Sequence, residues 1–434
     1  MAKVTVRRKN LVTNPLKHSA PLGGALAFLG INRCVPVLHG AQGCTSFAVA
    51  LLTRHFREPV PIQNTALSET AAILGGGDNL AAALATVAEK RRPDLIGLLT
   101  TGLTETRGDD VVRLLADFRE QSPQHRKLPV VAVSTPDFAG GLQEGYAAVV
   151  EQLVTELAEP DANRISSQVN LLVGPGLGPL DAEEIREMVE AFGLSPIVVP
   201  DLAGSLDGHL AEDWSPVTTG GTPVTDVRRL GSSQATLVVG PSLLRTGRLL
   251  EKRHGVPCLV YDSLTGLEET DRFLADLASL SGRPVPPPLR RWRARLADGM
   301  LDAHFVLGGR RIALALEPDL LYAVASFLVG MGAEIVAAVG PTKSPILERL
   351  PCGEVTVGDY GDLEEAAREA GAELLIASSH GTQSAKRLRI PHLSLGFPVV
   401  DRLGVQYQLT AGYRGTLSLV YQVANRFLEE VMAG

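Results

Sequence analysis

Aromatic residues are scarce, at 5% of 434 positions, and there are only four cysteines. Cys34, Cys44, Cys258 and Cys352 lie far apart and form no CxxC pair, so neither a disulfide framework nor a self-contained zinc or iron–sulfur site is expected. No apolar run reaches the roughly 18 residues of a membrane span, and the opening residues do not read as a basic-then-apolar leader. The expectation is a cytoplasmic chain with no membrane contact. Excess positive charge is also missing: the formal net charge of −7 argues against a general nucleic-acid partner. P-loop, HExxH and nucleophile-elbow motifs are all absent. No general acid, base or nucleophile stands out, and no catalytic residue is nominated.

What the chain does have is 44 glycines and 45% hydrophobic residues, arranged as short apolar runs between amphipathic segments. That alternation predicts an α/β fold, and the length allows about two to four domains. Strand-like runs fall into three groups. The first holds "RCVPVLHG", "DLIGLLTTG" and "LPVVAVSTPDF"; the second holds "VNLLVGPG", "SPIVVPD", "ATLVVGP" and "PCLVYDS"; the third holds "RRIALALEPD", "AEIVAAVGP", "GEVTVGD" and "AELLIASSHG". Each group predicts a doubly wound, Rossmann-like domain with a parallel sheet. The expected boundaries are 1–165, 166–285 and 286–404, with a closing helix in 405–434 returning to the first domain.

One turn draws attention. In "HGAQGCT", residues 39–45, a buried strand gives way to an amphipathic helix, which puts Cys44 where free N–H groups and the helix dipole favour a thiolate. A single cysteine cannot fill a cluster, so any other ligands must come from another chain. The remaining features read as structural. "GPGLGP" at 174–179 resembles a dinucleotide loop only faintly, because prolines remove donors. Asp109 and Asp110 read as helix caps, and His39 as a hydrogen-bonded structural residue. Arg290, Arg291, Arg293 and Arg295 read as an exposed helix face, and His380 stands at a strand end where ligands can bind. A metal-free α/β protein binding a small molecule stays open at this level.

The stretch "PLGGALAFLGINRCVPVLHGAQGCTSFAVALLTRHFREPVPIQNTALSE", with "TTGLTETRGDD", "VSTPDF", "DLLYAVASFLVGMGAEIVAAV" and "GFPVVDRLG" downstream, resembles the nitrogenase component 1 family over nearly the whole chain. Within that family it is most similar to the β-like subunit of the iron–molybdenum cofactor assembly scaffold. Catalytic nitrogenase β subunits hold an interface cluster with three cysteines, whereas the matching positions here are Ser19, Cys44 and Gly102. The resemblance therefore implies a single [4Fe–4S] cluster with Cys44 as one ligand and three cysteines from a NifE-type α-like partner. Gly43 and Thr45 become the flanking backbone donors. It further implies an α2β2 heterotetramer in nitrogen fixation, on which a cofactor precursor, bound mostly through the partner, receives molybdenum and homocitrate. The Fe protein docks transiently, and donor and acceptor proteins bring the precursor and take the product. A nitrogenase β subunit and a subunit of dark-operative protochlorophyllide reductase are the related alternatives.

Overall fold

The computed structural model describes residues 1–434 except 8–11, 13, 75, 162, 211–212 and 434. Three parallel sheets with helices on both faces make up the chain, which is the α/β architecture the alternating pattern predicts. The first sheet runs in the order Gln63–Asn64, Cys34–His39, Leu95–Thr100, Val130–Val133. The two central strands are buried at every residue, so their sequences read as apolar runs rather than as alternation. The second sheet runs Ser195–Val199, Ile165–Val173, Ser233–Val239, Cys258–Tyr261. The third has six strands in the order Lys3–Val6, Glu354–Val357, Glu334–Gly340, Arg311–Ala315, Leu374–Ala377, His392–Ser394. Every pairing in all three sheets is parallel.

The helix Ala20–Leu29 is buried along its whole length and crosses the helix Leu142–Leu157 at backbone contact. A Cβ on Gly23 would stand 1.8 Å from the Leu142 carbonyl oxygen, and one on Gly145 would stand 1.9 Å from that of Ala20. Only glycine fits at either position. The same principle seats Phe28 on the central strand, where a Cβ on Gly97 would lie 2.4 Å from the ring. Leu26, Phe28 and Val149 then continue into Leu172, Val199 and Val238 of the second sheet, so the first two sheets share one core.

Two segments lie elsewhere than the expected boundaries 1–165 and 405–434 put them. Lys3–Val6 pairs in register with Glu354–Val357 and so extends the third sheet, although it precedes the first domain in sequence. The last helix, Gly412–Ala433, packs along Pro287–Leu307 instead of returning to the first sheet. Its apolar stripe of Leu419, Val420, Val423 and Phe427 enters the core of the third sheet. Gly299 makes the close approach possible, since a Cβ there would meet Leu417 Cδ1 at 2.4 Å. No helix among the described residues is long and apolar enough to cross a membrane.

Candidate cluster-ligand turn

Cys34–His39, Leu95–Thr100 and Val130–Val133 are neighbours, so the turns that follow them lie side by side at one edge of the first sheet. The first of these turns enters the helix Gln42–Phe56. Its N-cap, Ala41, has extended backbone and no side-chain acceptor, which leaves the first-turn N–H groups open. Cys44 is the third residue of that helix and is exposed. A Cβ on Gly43 would meet nothing within 4 Å, so the space beside the cysteine opens outward. Thr45 turns inward: it is buried, and its Oγ1 has no hydrogen-bond partner among the described residues.

The second turn opens the helix Gly102–Arg107, where the Thr101 N–H donates to Thr104 Oγ1 at 3.0 Å. Gly102 has room for a side chain, the nearest atom to a Cβ there being Asp137 Oδ2 at 3.6 Å. Ser19 caps the helix Ala20–Leu29 in position only, because its hydroxyl makes no cap bond. The Ala20 N–H donates instead to Asp137 Oδ1 at 3.2 Å. Ser19, Cys44 and Gly102 thus each stand at the opening of a helix.

A buried network underlies the Cys44 turn. His39 Nε2 meets Asp109 Oδ2 at 3.1 Å and its Nδ1 meets Thr65 Oγ1 at 3.0 Å, while Arg107 donates to Asp109 Oδ1 at 2.6 Å. Burial lowers the His39 pKa, and the Asp109 carboxylate opposes that shift. Thr101 and Thr104 hydroxyls both donate to the His39 carbonyl, at 2.9 and 3.2 Å, which ties the first turn to the second. His39 is therefore the hydrogen-bonded residue the sequence suggests. The two aspartates divide their roles: Asp110 caps the helix Val111–Gln121 by accepting from Arg113 N–H, whereas Asp109 is spent on the ion pair. Arg107, two residues away, is a local partner of Asp109, but its other partner, His39, lies 70 residues away and is set only by the fold.

Other sequence candidates lie outside this edge. The 174–179 turn is closed by Asp181, which accepts from the N–H groups of Gly178, Thr410 and Ala411 and so occupies the place an anion would take. Arg293 pairs with Asp271 at 2.7 Å and Arg295 lies 4.5 Å over the Trp292 ring, as members of the helix Pro287–Leu307. His380 stacks on His18 at 5.5 Å with its pKa lowered by burial. Cys34 is buried and its thiol is pushed up far from ionisation, and burial raises Cys258 and Cys352 as well.

Among the described residues no group of three or more His, Cys, Asp or Glu side chains could hold a metal ion. An exposed thiol on an open helix terminus fits one ligand of a shared cluster, and Ser19 and Gly102 supply no second thiolate. Exposed apolar side chains frame the edge: Phe47 (67% exposed) one turn after Cys44, Phe138 (72%) beside Asp137, and Leu103 beside Gly102.

A family model described as "Nitrogenase component 1 type Oxidoreductase" matches residues 19–428. A Nostoc protein named "Nitrogenase iron-molybdenum cofactor biosynthesis protein NifN" is 49% identical over 429 residues, covering 99% of this chain and 96% of the relative. The Bradyrhizobium diazoefficiens protein of the same name is 46% identical, covering 98% and 91%. The solved structure "Nitrogenase Cp1 at pH 6.5" superposes with a TM-score of 0.92 at 31% identity, covering 98% of this chain and 95% of the other. A second, "Nitrogenase Cp1 at pH 5", shares the fold with a TM-score of 0.74 at 16% identity. With a match over residues 19–428 and relatives this similar along their whole length, the chain belongs to the nitrogenase component 1 family.

Proposed function

We propose that this chain acts in biosynthesis of the nitrogenase iron–molybdenum cofactor, as the β-like half of a heterotetrameric scaffold with a NifE-like partner. The name its relatives carry supports the role, and the lone exposed thiol of Cys44 carries the structural part of the reading. Cys44 supplies one ligand to a [4Fe–4S] cluster whose other three thiolates come from the partner. When bound, such a cluster supplies one-electron transfer. The chain's own contribution is to place a thiolate, to offset its negative charge with the open N–H groups of the helix Gln42–Phe56, and to exclude water with the apolar frame of Phe47, Leu103 and Phe138. Gly43 and Thr45 flank the ligand as backbone donors. The precursor rests mainly on the partner while molybdenum and homocitrate are added, the Fe protein docks to deliver electrons and metal, and the compartment is the cytoplasm. A catalytic β subunit would need thiolates at 19 and 102, where this chain has serine and glycine.

The test is iron content and low-temperature EPR on anaerobically purified protein, alone and co-expressed with the NifE-type partner. Expected is an iron-free lone chain, a pair carrying a [4Fe–4S] signal, and a Cys44→Ala pair that loses the signal while staying folded. A Cys44→Ala pair with unchanged iron and spectrum removes Cys44 from the ligand set.

A further inference from the structure

Asp137 has no role in the reading above, yet it stands between the two family positions at which this chain lacks a thiolate. It arrives there by topology: Val130–Val133 pairs with Leu95–Thr100, so the turn after the one strand lies beside the turn after the other. One carboxylate oxygen accepts the Ala20 N–H at 3.2 Å, next to Ser19. The other, Oδ2, makes no hydrogen bond among the described residues and lies 3.6 Å from where a Gly102 side chain would begin. The Lys17 ammonium holds the Asp137 backbone carbonyl at 2.6 Å, which fixes the residue and places a positive charge nearby. The residue itself is exposed, beside the exposed Phe138, on the edge that carries Cys44. Helix capping accounts for Oδ1 and leaves Oδ2 unaccounted for.

We propose that Asp137 is a positioning residue whose carboxylate takes the ground left by the absent side chains at 19 and 102 and turns a fixed negative charge toward the interface cluster, lowering its reduction potential. This rests on the scaffold reading. A negative charge disfavours an added electron, and in a site closed by a partner it is weakly screened. It opposes the helix N-termini at the same edge, which act in the other direction.

The experiment is an EPR-monitored redox titration of the co-expressed pair, comparing the native chain with Asp137→Asn and Lys17→Gln. Asn keeps an acceptor for the Ala20 N–H and removes only the charge. Expected is full iron content in both variants, a reduced-to-oxidised ratio at fixed applied potential about tenfold higher in Asp137→Asn, equal to about 59 mV for one electron, and a shift of opposite sign in Lys17→Gln. Unshifted potentials overturn the proposal, as does loss of iron in Asp137→Asn, which would make the carboxylate a ligand instead. If Asp137→Asn does not fold, Asp137→Ser, which keeps an acceptor for the Ala20 N–H without the charge, takes its place in the same titration, with the same expected sign. A native pair that carries no cluster overturns the scaffold reading itself, whereas a native cluster lost on Cys44→Ala but indifferent to Asp137 overturns only this inference.

Discussion

Cys44 and Asp109 differ in how far their neighbourhoods reach along the chain. The setting of Cys44 is local, a buried run followed by helical spacing, and sequence alone places it at a helix opening. Asp109 and Asp137 are set by pairings that only the folded sheet provides, with Asp109 on His39 and Asp137 on Ala20. No short window shows either, and a residue that reads as a cap is in one case half of an ion pair. Asp109→Ala strands the His39 Nε2 and part of the Arg107 guanidinium in a largely buried place. A loss of about 2 kcal/mol is expected in urea unfolding of the lone chain. A loss under about 0.5 kcal/mol would show that the network does not hold the turn.

At the scale of elements, the helix crossing of Ala20–Leu29 on Leu142–Leu157 is legible only as two glycines inside helical patterns, which ordinarily weaken a helix. The reason for them is tertiary. Gly145→Ala would drive a methyl into the Ala20 carbonyl, and a loss of about 3 kcal/mol is expected because backbone on both sides must separate. Gly43→Ala is the contrasting case: with nothing within 4 Å, it should be neutral or stabilising by about 0.5 kcal/mol. Thermal unfolding of the two variants side by side checks both signs. Equal effects would mean the crossing is looser than the glycine contacts indicate. Most of the strands were legible because parallel strands buried on both faces spell continuous apolar runs, the short edge strands Gln63–Asn64 and His392–Ser394 being exceptions. Lys3–Val6 was not, since a four-residue edge strand with exposed ends carries no such run.

Across the whole molecule, buried ionisable groups between the sheets set the pH range of stability. His18 and His55 are buried neutral, and desolvation lowers each pKa to about 4. Both bind protons more weakly folded than unfolded, so their contribution is present above the ordinary histidine value of 6.5 and is lost as pH falls toward 4. Each accounts for about 3 kcal/mol over that interval. Glu317 works on the other side. Burial, with Glu144 and Asp319 nearby, raises its pKa to about 8, so stability is favoured at low pH and falls as pH rises from 4.5 through 8. Urea unfolding from pH 4 to pH 9 should therefore show a maximum near neutrality. Glu317→Gln is expected to flatten the alkaline limb and His55→Gln the acid limb. An alkaline limb unchanged in Glu317→Gln would place that titration elsewhere.

The pairing of Lys3 with Glu354 carries a consequence for synthesis on the ribosome. The chain's opening strand has no partner until some 350 residues later the strand Glu354–Val357 has emerged, at roughly 5–20 residues per second a wait of tens of seconds. Until then the edge of the third sheet is unformed, and the segment Lys3–Val6 is available to chaperones and to wrong strands. Completion of this subunit is thus a late event in its translation, and assembly with a partner has to follow it.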